Sequence, residues 1–225
     1  MHVISKSAWR DAVAKDPALE RPIGEWHKVA KHAEWKNLAE VRKVYPHADP
    51  VGPYTVFNIK GGTYRLIVKI EYRWQTIFVK HLLTHAEYDR GGMETMNAEA
   101  IDYGTLLEET KPEVIRGEPE NRRLIEILER LTAQEHVTEA EEKLIALMTV
   151  LVENFENQNY PVLDVGPLDI IRHLMEEHNL RQKDLTDVFG TESIVSDVLN
   201  GKRELNKEHI RRLSERFKVS PAVFF

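Results

Sequence analysis

Residues 60–89, KGGTYRLIVKIEYRWQTIFVKHLLTHAEYD, decide how the first part of this 225-residue chain folds. Two runs of β-branched and aromatic residues, 64–72 and 76–83, meet at a turn around Trp74-Gln75, and a third, 54–59, enters through Gly61-Gly62. The pattern predicts a three-stranded antiparallel meander. With two-residue turns, strand alternation sends Phe57, Ile59, Leu66, Val68, Ile70, Ile77 and Val79 to one face and Arg65, Lys69 and Lys80 to the other. The first face is a core, and the second is expected to be largely basic. In that register Lys69 and Lys80 lie opposite each other, a like-charge pairing that destabilises the sheet unless an anion sits between them. A phosphate backbone is such an anion.

Upstream, residues 2–4 read as a short strand, followed by a helix through Trp9, Ala12 and Val13 with Ser5 and Ser7 as caps. Ile23, Trp26, Val29 and Ala30 have the three-four spacing of an amphipathic helix, and residues 38–44 add a shorter one. Pro46, Pro50 and Pro53 then break the helical pattern before the sheet. Helices on one face of a small antiparallel sheet leave the other face open. Thr84-x-x-Glu87 fits a capping box and brings His85 and Tyr88 to the rim of the basic face.

Downstream the pattern is helical over 100–109, 121–133 and 138–157, the last capped by Thr138 with Glu141 three residues on. Residues 158–166 read as a linker, and short helices fill 167–225. Two of them, 182–189 and 191–199, are stopped by Gly190 and Gly201 in the manner of a helix-turn-helix. The fold class is therefore α+β: a sheet-and-helix domain over 1–92, an acidic helical segment over 93–160, and an all-α DNA-binding domain over 161–225.

Charge follows the same divisions. Residues 1–93 carry 15 Lys+Arg against 10 Asp+Glu, residues 94–166 carry 6 against 17, and residues 167–225 carry 10 of each. A basic module followed by a strongly acidic one suggests that the second competes for the first's anionic ligand. The absence of cysteine excludes disulfides, a thiol nucleophile and cysteine-ligated zinc, and fits a reducing cytoplasm. No apolar run approaches a membrane span and no signal-peptide pattern opens the chain. Ten histidines raise the question of metal, but His27 and His32 do not share a helical face and no H-E-x-x-H occurs. Neither a metal nor another cofactor is expected.

Residues 182–185 (QKDL), Val188-Phe189-Gly190, Ser193, residues 195–203 (VSDVLNGKR), Leu205 and residues 210–219 resemble the helix-turn-helix of the Xre/Cro family, and residues from about 96 onward look like a HigA-type antitoxin. Residues 1–5 (MHVIS), Ala48-Asp49, residues 56–59 (VFNI), 64–67 (YRLI) and 84–89 (THAEYD) resemble HigB, a RelE-like messenger-RNA interferase. The resemblance implies a toxin-antitoxin pair in one chain. It implies ribosome-dependent cleavage of mRNA by the front module, neutralisation by the helices behind it, through a contact within one chain or between two, and repression of its own operator by the rear.

RNA carries its own nucleophile, the 2′-hydroxyl, so the protein need only align the phosphate, move protons and stabilise charge on the phosphoryl oxygens. Arg65 suits the last role through its two-pronged guanidinium. His85 is the proton carrier by intrinsic pKa and Tyr88 the next, while Lys60, Lys69 and Lys80 are placed to hold flanking phosphates. In the rear module Glu192, Ser193, Ser196 and Asp197 are expected toward the major groove, with Gln182, Asn200, Lys202 and Arg203 on phosphates and Val195, Val198 and Leu199 in the core. The domain's neutral charge gives weak nonspecific binding, so a homodimer on a palindromic site is expected. A repressor whose toxin-like domain is catalytically silent remains the alternative.

Overall fold

The alternation in residues 54–84 closes into the centre of a five-stranded sheet, ordered β1-β5-β4-β3-β2, in a computed structural model that describes residues 1–84, 103–134 and 137–225. The strands are β1 (His2–Ile4), β2 (Asp49–Val51), β3 (Tyr54–Ile59), β4 (Tyr64–Glu71) and β5 (Thr76–Thr84). The antiparallel meander is β3-β4-β5, β2 extends it antiparallel at one edge, and β1 pairs parallel with β5 at the other. The sheet is therefore mixed.

Both turns of the meander have four residues, 60–63 and 72–75, in place of the expected two. Lys60, Gly61 and Gly62 all have positive φ (54°, 61° and 82°), a left-handed run that two glycines make accessible. The longer turn between β4 and β5 changes the register. Lys69 faces Phe78, and a shift between Val68 and Ile67 leaves Lys80 as an extra residue without a ladder partner. The expected Lys69–Lys80 pairing does not form.

Three helices cover the core face: α1 (Ser7–Lys15), α2 (Glu20–Lys31) and α3 (Leu38–Val44). Ile23, Trp26, Val29 and Ala30 of α2 are all buried, and the Trp26 ring meets Phe57 edge-on at 5.4 Å between centroids. α1 has no serine cap: its N-cap is Lys6, and Ser5 sits at φ 67°. The second face is not left open. Ile4 and Phe78 point away from the first core and are wholly buried with apolar residues of α4 (Tyr103–Thr110), α5 (Glu118–Thr132) and α6 (Glu139–Asn159). The capping box at Thr138 and Glu141 starts α6 as expected.

The carboxyl-terminal helices are α7 (Pro167–Glu177), α8 (Thr186–Phe189) after a 3₁₀ turn at Gln182–Leu185, α9 (Glu192–Leu199) and α10 (Lys207–Phe217), with a last 3₁₀ turn at Pro221–Phe224. Ile170, Ile171 and Leu174 of α7 join the same core as α2 and the sheet. The whole is α+β. Among the described residues no helix is long and apolar enough to cross a membrane.

Two seams bind the helical parts to the sheet domain. In the first, the carboxylate of Glu156 on α6 is wholly buried where β1 turns into α1. The Ser5 N–H donates to its Oε1 at 2.9 Å, the Lys6 N–H to Oε2 at 3.3 Å, and Asn121 Nδ2 of α5 to Oε1 at 3.3 Å. In the second, one stripe of α2, Arg21, Gly24, Glu25 and Lys28, meets the segment leading into α7. Arg21 pairs with Asp169, and Lys28 Nζ donates to Val165 O (2.8 Å), Asp164 Oδ1 (3.1 Å) and Phe225 O (2.9 Å). Glu25 lies 3.5 Å from His173 Nδ1. Burial raises Glu25 to about 7 and lowers His173 to about 4, so this contact includes a neutral imidazole at neutral pH. Gly24 admits the linker: a Cβ there would stand 2.7 Å from the Leu163 carbonyl oxygen.

Gly24→Ala tests the second seam by sign. In an isolated helix alanine is better than glycine by about 1 kcal/mol, whereas here the backbone clash should destabilise the intact chain by about 1–3 kcal/mol in urea titration. The first seam predicts a pH dependence. Burial pushes Glu156 up to about 7 from an ordinary 4.5, so its contribution to stability is complete below about 4.5 and is lost as pH rises through about 7. Over that window stability should fall more steeply in the parent than in Glu156→Gln, by up to about 1.4 kcal/mol per pH unit; equal slopes would contradict it.

Candidate nucleic-acid interfaces

Arg65 lies on β4, opposite Asn58 of β3 and Leu83 of β5, with its side chain on the face away from α1–α3. It is half-buried, and Nη1 donates to the Gly62 carbonyl at 2.6 Å. This bond ties the guanidinium to the left-handed turn beside it. Among the described residues no carboxylate pairs with Arg65, so its remaining N–H groups stay suited to two oxygens of one phosphate.

The three lysines are engaged differently. Lys60 Nζ donates to Asp16 Oδ2 at 2.6 Å, and this hydrogen bond holds the Asp16 carboxyl below its ordinary range. Lys69 pairs with Glu71 at 2.8 Å, a neighbour on the same face of the same strand. Lys80, displaced by the bulge, pairs with Glu129 of α5, and both side chains are largely buried. His85 and Tyr88 lie outside the described residues. The face around Arg65 is also less basic than expected. Strand alternation places Val56 and Ile67 there, and Val56 is buried.

In the helix-turn-helix, Gly190 at φ 98° ends α8, and the Thr191 hydroxyl caps α9 by accepting from the Ile194 N–H at 3.4 Å. Val195, Val198 and Leu199 are buried in the core. Glu192 and Ser193 at the start of α9 are exposed, as are Gln182, Asn200, Lys202 and Arg203, while Ser196 and Asp197 are half-buried. Asn200 Nδ2 donates back to the Ser196 carbonyl at 2.8 Å and to its Oγ at 3.2 Å, so that amide braces the end of α9. The Asp197 carbonyl accepts from the Lys202 and Arg203 N–H groups, fixing the loop that presents these two cations.

Sequence reasoning passed over the residues that join the parts: Gly24, Glu129 and Glu156. Only Gly24 left a trace, as a glycine inside an otherwise regular amphipathic helix, a place where a close backbone approach is the usual cause. Glu129 and Glu156 belong to acidic helices in which every surface carboxylate looks alike.

Residues 19–91 match the family model of HigB_toxin, the RelE-like toxic component of a toxin-antitoxin system, and residues 171–224 match a helix-turn-helix model. Among curated proteins, the antitoxin HigA of Escherichia coli (strain K12) is 46% identical over 59 residues, 26% of this chain and 42% of that protein. The mRNA interferase HigB of Escherichia coli O6:H1 is 29% identical over 93 residues, 40% of this chain and 90% of that protein, and the mRNA interferase toxin HigB of strain K12 is 25% identical over 92 residues, 40% of this chain and 88% of that protein. The chain thus spans less than half of the HigA proteins it matches and most of the HigB proteins. With Arg65 on a sheet at one end and an exposed helix-turn-helix at the other, the chain joins a domain similar to the HigB, RelE-like toxins to a helix-turn-helix domain similar to that of the HigA antitoxins.

Proposed function

We propose that residues 1–92 form an endoribonuclease that cleaves mRNA on the ribosome, that residues 93–160 hold it inactive, and that residues 161–225 bind operator DNA to repress the protein's own expression. The observation that carries this reading is the placement of α5 and α6 on the sheet. A carboxylate of the acidic helices, Glu129, occupies Lys80, while Arg65 remains without a carboxylate partner among the described residues. The helices therefore neutralise a rim cation and add bulk, and leave the phosphate-gripping arginine chemically intact. In the bound substrate Arg65 stabilises charge on the phosphoryl oxygens, Lys60 and Lys69 hold flanking phosphates, and His85 and Tyr88 move the protons.

For the rear module, support comes from exposure: Glu192, Ser193, Lys202 and Arg203 face outward while α7 is docked against α2. DNA binding is then compatible with the inhibited state, and two copies on a palindrome give the specificity that a neutral domain lacks.

Expressed alone, residues 1–92 should arrest growth and cut mRNA in the presence of ribosomes, with the intact chain inert in the same assay. Arg65→Ala in the fragment should lower the cleavage rate by about 10²–10³-fold. A fragment that folds, as read by circular dichroism, yet cuts nothing would overturn the nuclease reading and leave a repressor with a silent toxin-like domain. Full operator affinity in a monomeric chain would overturn the dimer.

A further inference from the structure

We propose that a cavity of about 510 Å³ between α1 and residues 159–164 is a binding site for a small organic anion with an aromatic or branched apolar body. The volume falls in the range of small-molecule pockets, roughly 300–1,000 Å³, and a single ring with a short side chain fits it. One wall is a single face of α1, where Lys6, Trp9, Arg10 and Val13 recur at the three-four spacing of a helix. The opposite wall is the linker, where Tyr160, Pro161, Val162 and Leu163 stand between Asn159 and Asp164. Leu163 is half exposed, an unusual state for a leucine in a connecting segment that packs along a helix.

The charge of the ligand follows from Lys6. This residue is 4% exposed. Its ammonium reaches Asn157 Oδ1 at 2.9 Å, and among the described residues it forms no ion pair with a carboxylate. The Glu156 carboxylate nearby is bound to the backbone N–H groups of Ser5 and Lys6 and to the Asn121 amide. Lys6 lines the cavity, its ammonium already held by Asn157 and attracted by the Glu156 and Glu153 carboxylates, and a bound anion adds a further acceptor for its protons. Arg10 adds a second cation one turn along, its guanidinium 5.9 Å from the Tyr160 ring centre. Glu20 and Asp164 also line the cavity and disfavour a dianion, so the ligand we propose is a monoanion. Trp9 and Tyr160 supply the apolar surface that a ring covers.

Both walls must be present together, because α1 belongs to the sheet domain and Tyr160 and Leu163 to the segment joining α6 to α7. A ligand that binds only this arrangement stabilises it by mass action. The site is independent of the nuclease reading and stands or falls without it.

The test uses the intact 225-residue chain, phenylacetate as the probe and phenylacetamide as its neutral counterpart, with binding followed by calorimetry. Phenylacetate should bind one-to-one and raise the melting temperature, and phenylacetamide should bind about tenfold more weakly. Arg10→Ala, at an exposed position, should weaken phenylacetate by several-fold, and Val13→Trp should abolish its binding by filling the cavity while the melting temperature of the free protein is kept. Equal binding of acid and amide, no binding of phenylacetate at millimolar concentration, or binding that survives Val13→Trp in a folded protein would each overturn the proposal.

Discussion

The arrangement depends on a carboxylate placed where water cannot reach it. Glu156 is wholly buried, and its oxygens accept from two backbone N–H groups at the end of β1 and from the side chain of Asn121. Stripping a carboxylate of water is costly, and the cost is offset only while those donors are in place. The β1–α1 corner, α5 and α6 are therefore fastened to one another wherever Glu156 is buried. Around it lie peripheral pairs, His2 with Glu153 at 2.8 Å and Arg73 with Glu142 at 2.9 Å, each exposed enough to contribute little alone. The apolar share comes from Ile4 and Phe78, which face α4–α6 and away from the main core. A helical segment that buries the edge residues of a sheet in this way is part of the domain's second core.

The second seam works by absence. Gly24 gives up helix propensity so that the Leu163 carbonyl can lie against α2, and the flanking Arg21, Glu25 and Lys28 recruit Asp169, His173 and the last residue of the chain. The helix-turn-helix is thereby held on the side of the sheet domain where α2 lies, and the start of α9 faces away. Because the two seams use different elements, the acidic helices and the DNA-binding helices hold the sheet domain independently. Loss of one need not release the other.

Much of this architecture was legible in local periodicity. Strand β3 starts and ends where the alternation of residues 54–59 does, Ile23, Trp26, Val29 and Ala30 mark the buried face of α2, and Thr138 caps the helix that follows it. What escaped depends on contacts distant in sequence or on unusual backbone. The four-residue turns rest on left-handed residues such as Lys60 and Gln75, which sequence does not advertise, and the bulge at Lys80 shifts the register in the middle of the run 76–83. The parallel pairing of β1 with β5 joins residues more than 70 positions apart. The candidate site suffered in the same way. Arg65 was visible as a cation inside an apolar strand, whereas the partners of Lys60 and Lys80, Asp16 and Glu129, come from other elements entirely.

The charge asymmetry of the chain can now be read more narrowly. A net surplus of acid behind a basic module suggested that the acidic segment competes for the module's anionic ligand. Of the four cations expected on RNA, the acidic helices engage one among the described residues, Lys80, while Lys60 and Lys69 are paired within the sheet domain to Asp16 and Glu71. Among the described residues, direct charge pairing is thus a small part of the contact between α4–α6 and the sheet. A field of carboxylates beside the sheet still repels a polyanion approaching within a Debye length, about 8 Å at physiological salt, and the bulk of α4–α6 fills space beside β1 and β5. On the proposed function, exclusion by shape and long-range repulsion would leave Arg65 as it stands here, bonded to Gly62. On that reading the helices block access without distorting the turn that holds Arg65, and their removal calls for no rearrangement there.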